Sequence, residues 1–259
     1  MNGRKIVEIL ENKFPLCNAE DWDNVGLIVG NVNRDIKKIQ LSLDVTKDSL
    51  ENAIKEKVDM IISHHPMIFD PVKYIRDNDI LGNKIIKLIE KHICLYTLHT
   101  NLDSSKNGLN EYILDLLDVK DFEILDINNE ENESGIGRYF ILDDKISILE
   151  YINILKEKLK LINLRCFSRD INRKIDKIAI INGAGGNYWR KAKELDIDLF
   201  ITGDVKYHDG LDSSESGVDI IDIGHYESEK FFANVIQKYL ETTNLDIITY
   251  DGGNLFTIL

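Results

Sequence analysis

Cysteine, proline and tryptophan are scarce in this chain, at 3, 3 and 2 residues among 259. The cysteines, Cys17, Cys94 and Cys166, are odd in number, far apart and without a Cys-x-x-Cys unit. That excludes a disulfide scaffold, a cysteine zinc knuckle and a dithiol redox pair, and it fits a reduced, cytoplasmic setting. Long apolar runs are missing as well. No stretch nears the roughly 20 residues of a membrane span, and residues 1–14 mix charges through their apolar positions instead of forming a signal core. A soluble, unexported protein with no membrane partner is expected. Basic excess is also absent: the formal charge of -13 opposes attraction to phosphate backbones and anionic lipid, which argues against nucleic acid as a partner.

The 43% hydrophobic content suffices for one large α/β domain or two modest lobes. Short β-rich runs alternate with amphipathic helical patterns along the whole chain, the signature of strands joined by crossover helices in mainly parallel sheets. Helices are predicted at 4–14, 47–57, 79–91, 146–159 and 229–240, with another ending near Leu195; the first stops at Pro15, which cannot continue a helix. Strands are predicted at 26–30, 39–44, 59–63, 93–98, 136–142, 164–168, 177–181, 198–202 and 219–223, with a short one at 122–125. The Asp-, Glu- and Asn-rich run 118–133 reads as a solvated connector, dividing a first α/β lobe at 1–126 from a second at 127–259.

Histidines stand at predicted strand ends. His64 and His65, in Ser-His-His-Pro, close the run 59–63. A lone histidine on a strand is more often a satisfied core or surface residue than a ligand, but two adjacent ones before proline suit metal chemistry. Proline disfavours helical backbone at His65, so the pair should be extended, with diverging rings serving different ions. His99-Thr100-Asn101-Leu102-Asp103 leaves the next strand end, where open α/β sheets place their sites, though Asp103 taken alone reads as a cap. His225 and Glu229 stand four apart and share a helical face, so together they could hold one ion. Glu227 falls off that face. Imidazole and carboxylate without thiolate suit zinc, iron, manganese or cobalt.

Other residues favour structural readings. Asp23, Asn24 and Asp44 at loop starts suit turns and caps. The loop Gly183-Ala184-Gly185-Gly186 matches no phosphate-binding fingerprint, and a tight strand-to-helix turn needs glycine anyway. Trp22 and Trp189 read as packing residues.

Five motifs taken together resemble the NIF3-like family: Asp-Trp-Asp-Asn-Val-Gly-Leu at 21–27, Ser-His-His-Pro at 63–66, His-Thr-Asn-Leu-Asp at 99–103, Thr-Gly-Asp-Val-Lys-Tyr-His-Asp at 202–209, and Gly-His-Tyr-Glu-Ser-Glu at 224–229. They span essentially the whole chain. The resemblance implies two α/β lobes with a metal site between them and no inserted middle domain. It implies a dinuclear centre of two divalent ions with ligands His64, His65, Asp103, His225 and Glu229, the last of these bridging. It further implies a toroidal homohexamer, a trimer of dimers. His99 and His208 fall within family motifs but outside that ligand set, as proton-transfer groups.

Members are often labelled GTP cyclohydrolase 1 type 2 homologues, which implies hydrolytic opening of the guanine imidazole ring of GTP to dihydroneopterin triphosphate and formate. Lys206, Arg138 and Arg190 are the candidate contacts for a triphosphate. The alternatives are another metal-dependent hydrolase, for instance of phosphoesters, or a ring-shaped metal-binding regulator or adaptor without catalysis. A single-stranded nucleic-acid binder conflicts with the acidic balance.

Overall fold

The computed structural model describes residues 1–257. They form an α/β protein with two mixed sheets, each in its own compact unit. The first unit is residues 1–105 together with 230–257, and the second is Lys106–Glu229.

The first unit contributes strands β1 (Gly26–Val29), β2 (Lys38–Ser42), β3 (Met60–Ser63) and β4 (Cys94–Thr97). The second contributes β5 (Glu123–Asn129), β6 (Ser134–Ser147), β7 (Arg165–Phe167), β8 (Lys174–Ile180), β9 (Leu199–Thr202) and β10 (Asp219–Asp222). The chain then returns to the first unit and adds β11 (Asp246–Tyr250) beside β2.

In the first sheet the order is β1-β4-β3-β2-β11, with β4, β3, β2 and β11 parallel and β1 antiparallel at the edge. Its central strands are apolar runs rather than alternations, because a parallel sheet is covered on both faces. All four residues of β3 and of β4 are buried. The crossover helices begin with side-chain caps. Thr46 accepts from the Ser49 amide ahead of helix Lys47–Lys55, and Asp79 accepts from the Gly82 amide ahead of helix Ile80–Glu90. The apolar stripe of helix Lys47–Lys55, Leu50 and Ala53, packs with Val45, Ile61 and Leu95 in the core.

The second sheet, ordered β5-β6-β8-β9-β10-β7, is not mainly parallel: only β8-β9 and β9-β10 are parallel, and β5-β6, β6-β8 and β10-β7 are antiparallel. The run read as a connector contains strand β5. Leu125 is buried in the core while Glu123, at the start of this edge strand, is exposed, and charge at an edge discourages further pairing. The division of the chain at 126/127 therefore falls inside a strand, and the compact units do not follow it.

Helices Leu109–Leu116 and Tyr207–Glu215 and strand β11 had no counterpart among the predicted elements. The predicted helix 229–240 is two pieces, His225–Glu229 and Phe232–Leu240, with the change of unit at Glu229–Lys230. No described helix is long and apolar enough to cross a membrane.

Candidate metal centre

In the first unit, β2, β3 and β4 run parallel and end in register, Ser42 opposite Ser63 and Ser63 opposite Thr97. The chemistry leaves from that carboxyl edge: Asp44 follows β2, His64 and His65 follow β3, and His99 follows β4. The Ser63 and Thr97 hydroxyls, 3.1 Å apart, tie the last rungs together.

His64 and His65 have ring planes 42° apart. Both lie in a bend beyond β3, so strand alternation has already ended, and their ring centroids are 5.1 Å apart. The ring of His99 is 5.2 Å from that of His64 and 5.7 Å from that of His65. One ligand atom from each of the three lies within 4.8 Å of the others.

Each ring is oriented through Nδ1. His64 Nδ1 is 2.8 Å from the Leu98 carbonyl, His65 Nδ1 is 2.8 Å from Asp44 Oδ1, and His99 Nδ1 is 2.9 Å from both oxygens of Asp23. Carbonyl and carboxylate oxygens only accept, so each Nδ1 carries a proton, and in the neutral ring Nε2 is then the nitrogen with the lone pair that a metal ion requires. Asp23 also accepts from the Thr100 amide and hydroxyl. Burial pushes its carboxyl up, but hydrogen bonding and charge from His99, with the Thr100 bonds, outweigh that and hold it below the ordinary range. Beside Asp44, burial lowers the Lys84 ammonium against that carboxylate's attraction.

Asp103 is no cap. It sits within the buried helix Thr100–Ser104, whose N-cap is His99, and its Oδ1 is 3.8 Å from His64 Nε2.

The second unit repeats the device. Strands β8, β9 and β10 are parallel, and Gly183, Asp204 and His225 leave their carboxyl ends. His225 Nδ1 is 2.8 Å from Asp204 Oδ2. In both units the aspartate precedes its histidine by 21 residues, through strand, Asp, helix, parallel strand and His. Helix His225–Glu229 puts His225 Nε2 2.9 Å from Glu229 Oε2, near the spacing of two donors sharing an ion with bonds of about 2.0–2.2 Å.

Glu229 is buried, and its Oε1 accepts from Asn182 Nδ2 at 3.2 Å. A Cβ on Gly183 would lie 2.3 Å from that Oε1, and the residue has φ +64°, so glycine here makes room for the carboxylate. Two of the loop's amides are engaged internally, Gly183 N–H to Ser228 Oγ and Gly185 N–H to Thr202 Oγ1.

His208 is exposed in the first turn of helix Tyr207–Glu215, its ring against Tyr207. Among the described residues neither His208 nor His92 has an Nδ1 acceptor bond of the kind the other four histidines make. Of the three cations expected to meet a triphosphate, Arg138 is unavailable. It is fully buried, with bonds to Glu111 and to the carbonyls of Gly135 and Gly137. Lys206 and Arg190 are exposed. Trp189 packs in the core as expected, whereas Trp22 is 57% exposed.

Asp204, Asn182, Gly183 and Ser228 were not singled out as parts of the centre. Asp204 had a usable signal, a carboxylate at a strand end at the same distance from His225 as Asp44 from His65.

Paired strand-edge sets of histidine and carboxylate, one in each α/β unit, define the class of fold to which the chain is compared. The family Duf34/NIF3 (NGG1p interacting factor 3) matches residues 1–252, and the chain belongs to this family. A GTP cyclohydrolase 1 type 2 homolog of Clostridium perfringens is 40% identical over 248 residues, 95% of this chain and 94% of the relative. One of Clostridium acetobutylicum is 37% identical over 239 residues, 92% and 89% of the two chains. Among solved structures, a hypothetical protein of Staphylococcus aureus aligns over 100% of this chain and 99% of its own, with TM-score 0.88 and 28% identity. Reduced HcgD from Methanocaldococcus jannaschii aligns over 96% and 97%, with TM-score 0.84 and 30% identity.

Proposed function

We propose that this chain binds two divalent ions through His64, His65, Asp103, His225 and Glu229 and is a metal-dependent hydrolase. The observation that carries this reading is the common orientation of His64, His65 and His225, each with Nδ1 on an oxygen acceptor so that Nε2 is the ring atom turned to ligate. The donor set fits zinc, iron, manganese or cobalt, being nitrogen and carboxylate without thiolate. When bound, such a pair would lower the pKa of water and stabilise developing negative charge.

The residues divide the remaining work. Asp44, Asp204 and the Leu98 carbonyl hold the ligand rings in one tautomer and orientation. Gly183 and Asn182 place the Glu229 carboxylate, leaving Oε2 toward His225. His99, backed by Asp23, keeps Nε2 as a base that can take a proton and return it to a leaving group. His208, exposed and without a carboxylate behind its ring, is the weaker proton carrier.

For the substrate we propose GTP-type ring opening first, supported by the names of relatives at 40% and 37% identity. The assembly proposed is the toroidal homohexamer. Purified protein loaded separately with each metal should release formate from GTP, and His65→Ala should abolish release. Turnover of phosphoesters instead would keep the metal centre and replace the substrate. No turnover of either, with assembly lost on chelation, would favour a metal-binding regulator or adaptor.

A further inference from the structure

Trp22 is 57% exposed and Phe69 53% exposed, and the two lie side by side with ring centroids 5.6 Å apart, tilted by 40°. Scattered apolar residues on a surface are ordinary, but a large aromatic pair held in the open is not. Neither ring is loosely carried. Asp23, the residue after Trp22, accepts from the Thr100 amide and hydroxyl and contacts His99, while the Glu20 amide donates to Thr100 Oγ1 and the Asp23 amide to the Glu20 carbonyl. On the other side, Asn24 Nδ2 donates to the carbonyl of Ile68, next to Phe69, at 2.6 Å. The chain that carries the indole is thus anchored on one side through Asp23 and on the other to the loop that bears its aromatic neighbour.

Its position matters as much as its exposure. The Trp22 ring lies 6.1 Å from the His99 ring in an edge-on arrangement, and His99 is one of the three imidazoles whose donor atoms converge. We infer that Trp22, with Phe69 beside it, is a stacking platform for a planar heteroaromatic ligand and so sets the substrate class of the centre. Aromatic rings pair at centroid separations of about 4.5–7 Å, so a ring stacked on the indole lies in the neighbourhood of the histidine cluster that the indole borders. Stacking accepts any π face, and specificity is left to the polar groups around it. The inference rests on the metal-centre reading for its functional meaning, but ring binding itself can be measured without it.

Trp189→Phe leaves Trp22 as the only tryptophan, and it removes no hydrogen bond, because the buried Trp189 Nε1 has no partner among the described residues. In that background, guanosine and nicotinamide should quench the fluorescence saturably, and ribose should not. Calorimetry on the otherwise unchanged chain should show Trp22→Leu weakening guanosine about tenfold or more, with Trp22→Phe retaining most of the affinity. Metal content is measured on the same samples. No binding of either aromatic compound, or equal binding by Trp22→Leu, would overturn the platform even with both ions present. A smaller particle mass for Trp22→Leu with unaltered guanosine binding would also overturn it, assigning the indole to a contact between copies. Ring binding by parent protein that takes up no divalent metal would uphold the platform and sink the metal reading alone.

Discussion

At the residue scale, the oxygen acceptors behind the histidines fix the tautomer and orientation of each ring. Asp44→Asn and Asp204→Asn keep side-chain shape but present an amide that can offer hydrogen to Nδ1, which disfavours the tautomer needed for ligation. Metal affinity should fall roughly 10–100-fold in each, with the stability of the metal-free chain little changed. Competition against a coloured chelator checks this, and unaltered affinity would mean that the ring orientation has another source. Gly183→Ala should act twice, through its left-handed backbone and through the 2.3 Å approach of the new Cβ to Glu229. The expected cost is roughly 1–3 kcal/mol of stability together with lost metal, read from urea unfolding and metal content. A further residue, Arg138, is a buried cation whose guanidinium is lowered by burial against the Glu111 charge and bond. Arg138→Met strands Glu111 and two carbonyls, so a loss of about 3–5 kcal/mol is expected in the same assay. That outcome also separates it from any role in substrate binding, since stability rather than affinity should move.

At the scale of elements, helix Ile148–Leu159 offers a test by pH. Ser147 and Glu150 form a reciprocal capping box, and Lys174 joins the Glu150 carboxylate. The Ser147 bonds, followed by Lys174, hold the Glu150 carboxyl down at about 2, below its ordinary 4.5. A depressed folded-state pKa means that the contribution is complete above pH 4.5 and drains away as pH falls toward 2. Glu150→Gln lacks it throughout, so the gap in urea midpoint between parent and variant should narrow across that window. A constant gap would show that the carboxylate charge is not what caps the helix.

The elements also show what was legible beforehand. The apolar runs at 59–63 and 93–98 with amphipathic segments between them announce parallel strands and crossover helices, because a doubly covered strand leaves little ambiguity. The acidic edge strand β5 misleads, since one buried residue among charges resembles a solvated loop. Strand β11 is hidden for another reason: its pairing with β2 is set by contacts some 200 residues away in sequence, which local periodicity cannot report. At the site, the motifs bring out the histidines and Glu229. Bend geometry beyond β3, and the space that Gly183 leaves for a carboxylate, exist only once the chain is folded.

At the scale of the whole molecule, two units each place an aspartate and a histidine at strand ends 21 residues apart. The second unit is inserted within the first, and the chain re-enters the first at Lys230, directly after Glu229. The proposed homohexamer predicts a particle near six chain masses by light scattering, and a monomer would contradict it. The formal charge of -13 predicts no salt-dependent retention of single-stranded nucleic acid in filter binding. Most direct of all is anomalous diffraction from metal-loaded crystals. Two peaks about 3.5–4 Å apart, within bonding distance of His64, His65, Asp103, His225 and Glu229, are expected of a hydrolytic pair. A single peak, or peaks away from those five residues, would contradict the dinuclear centre.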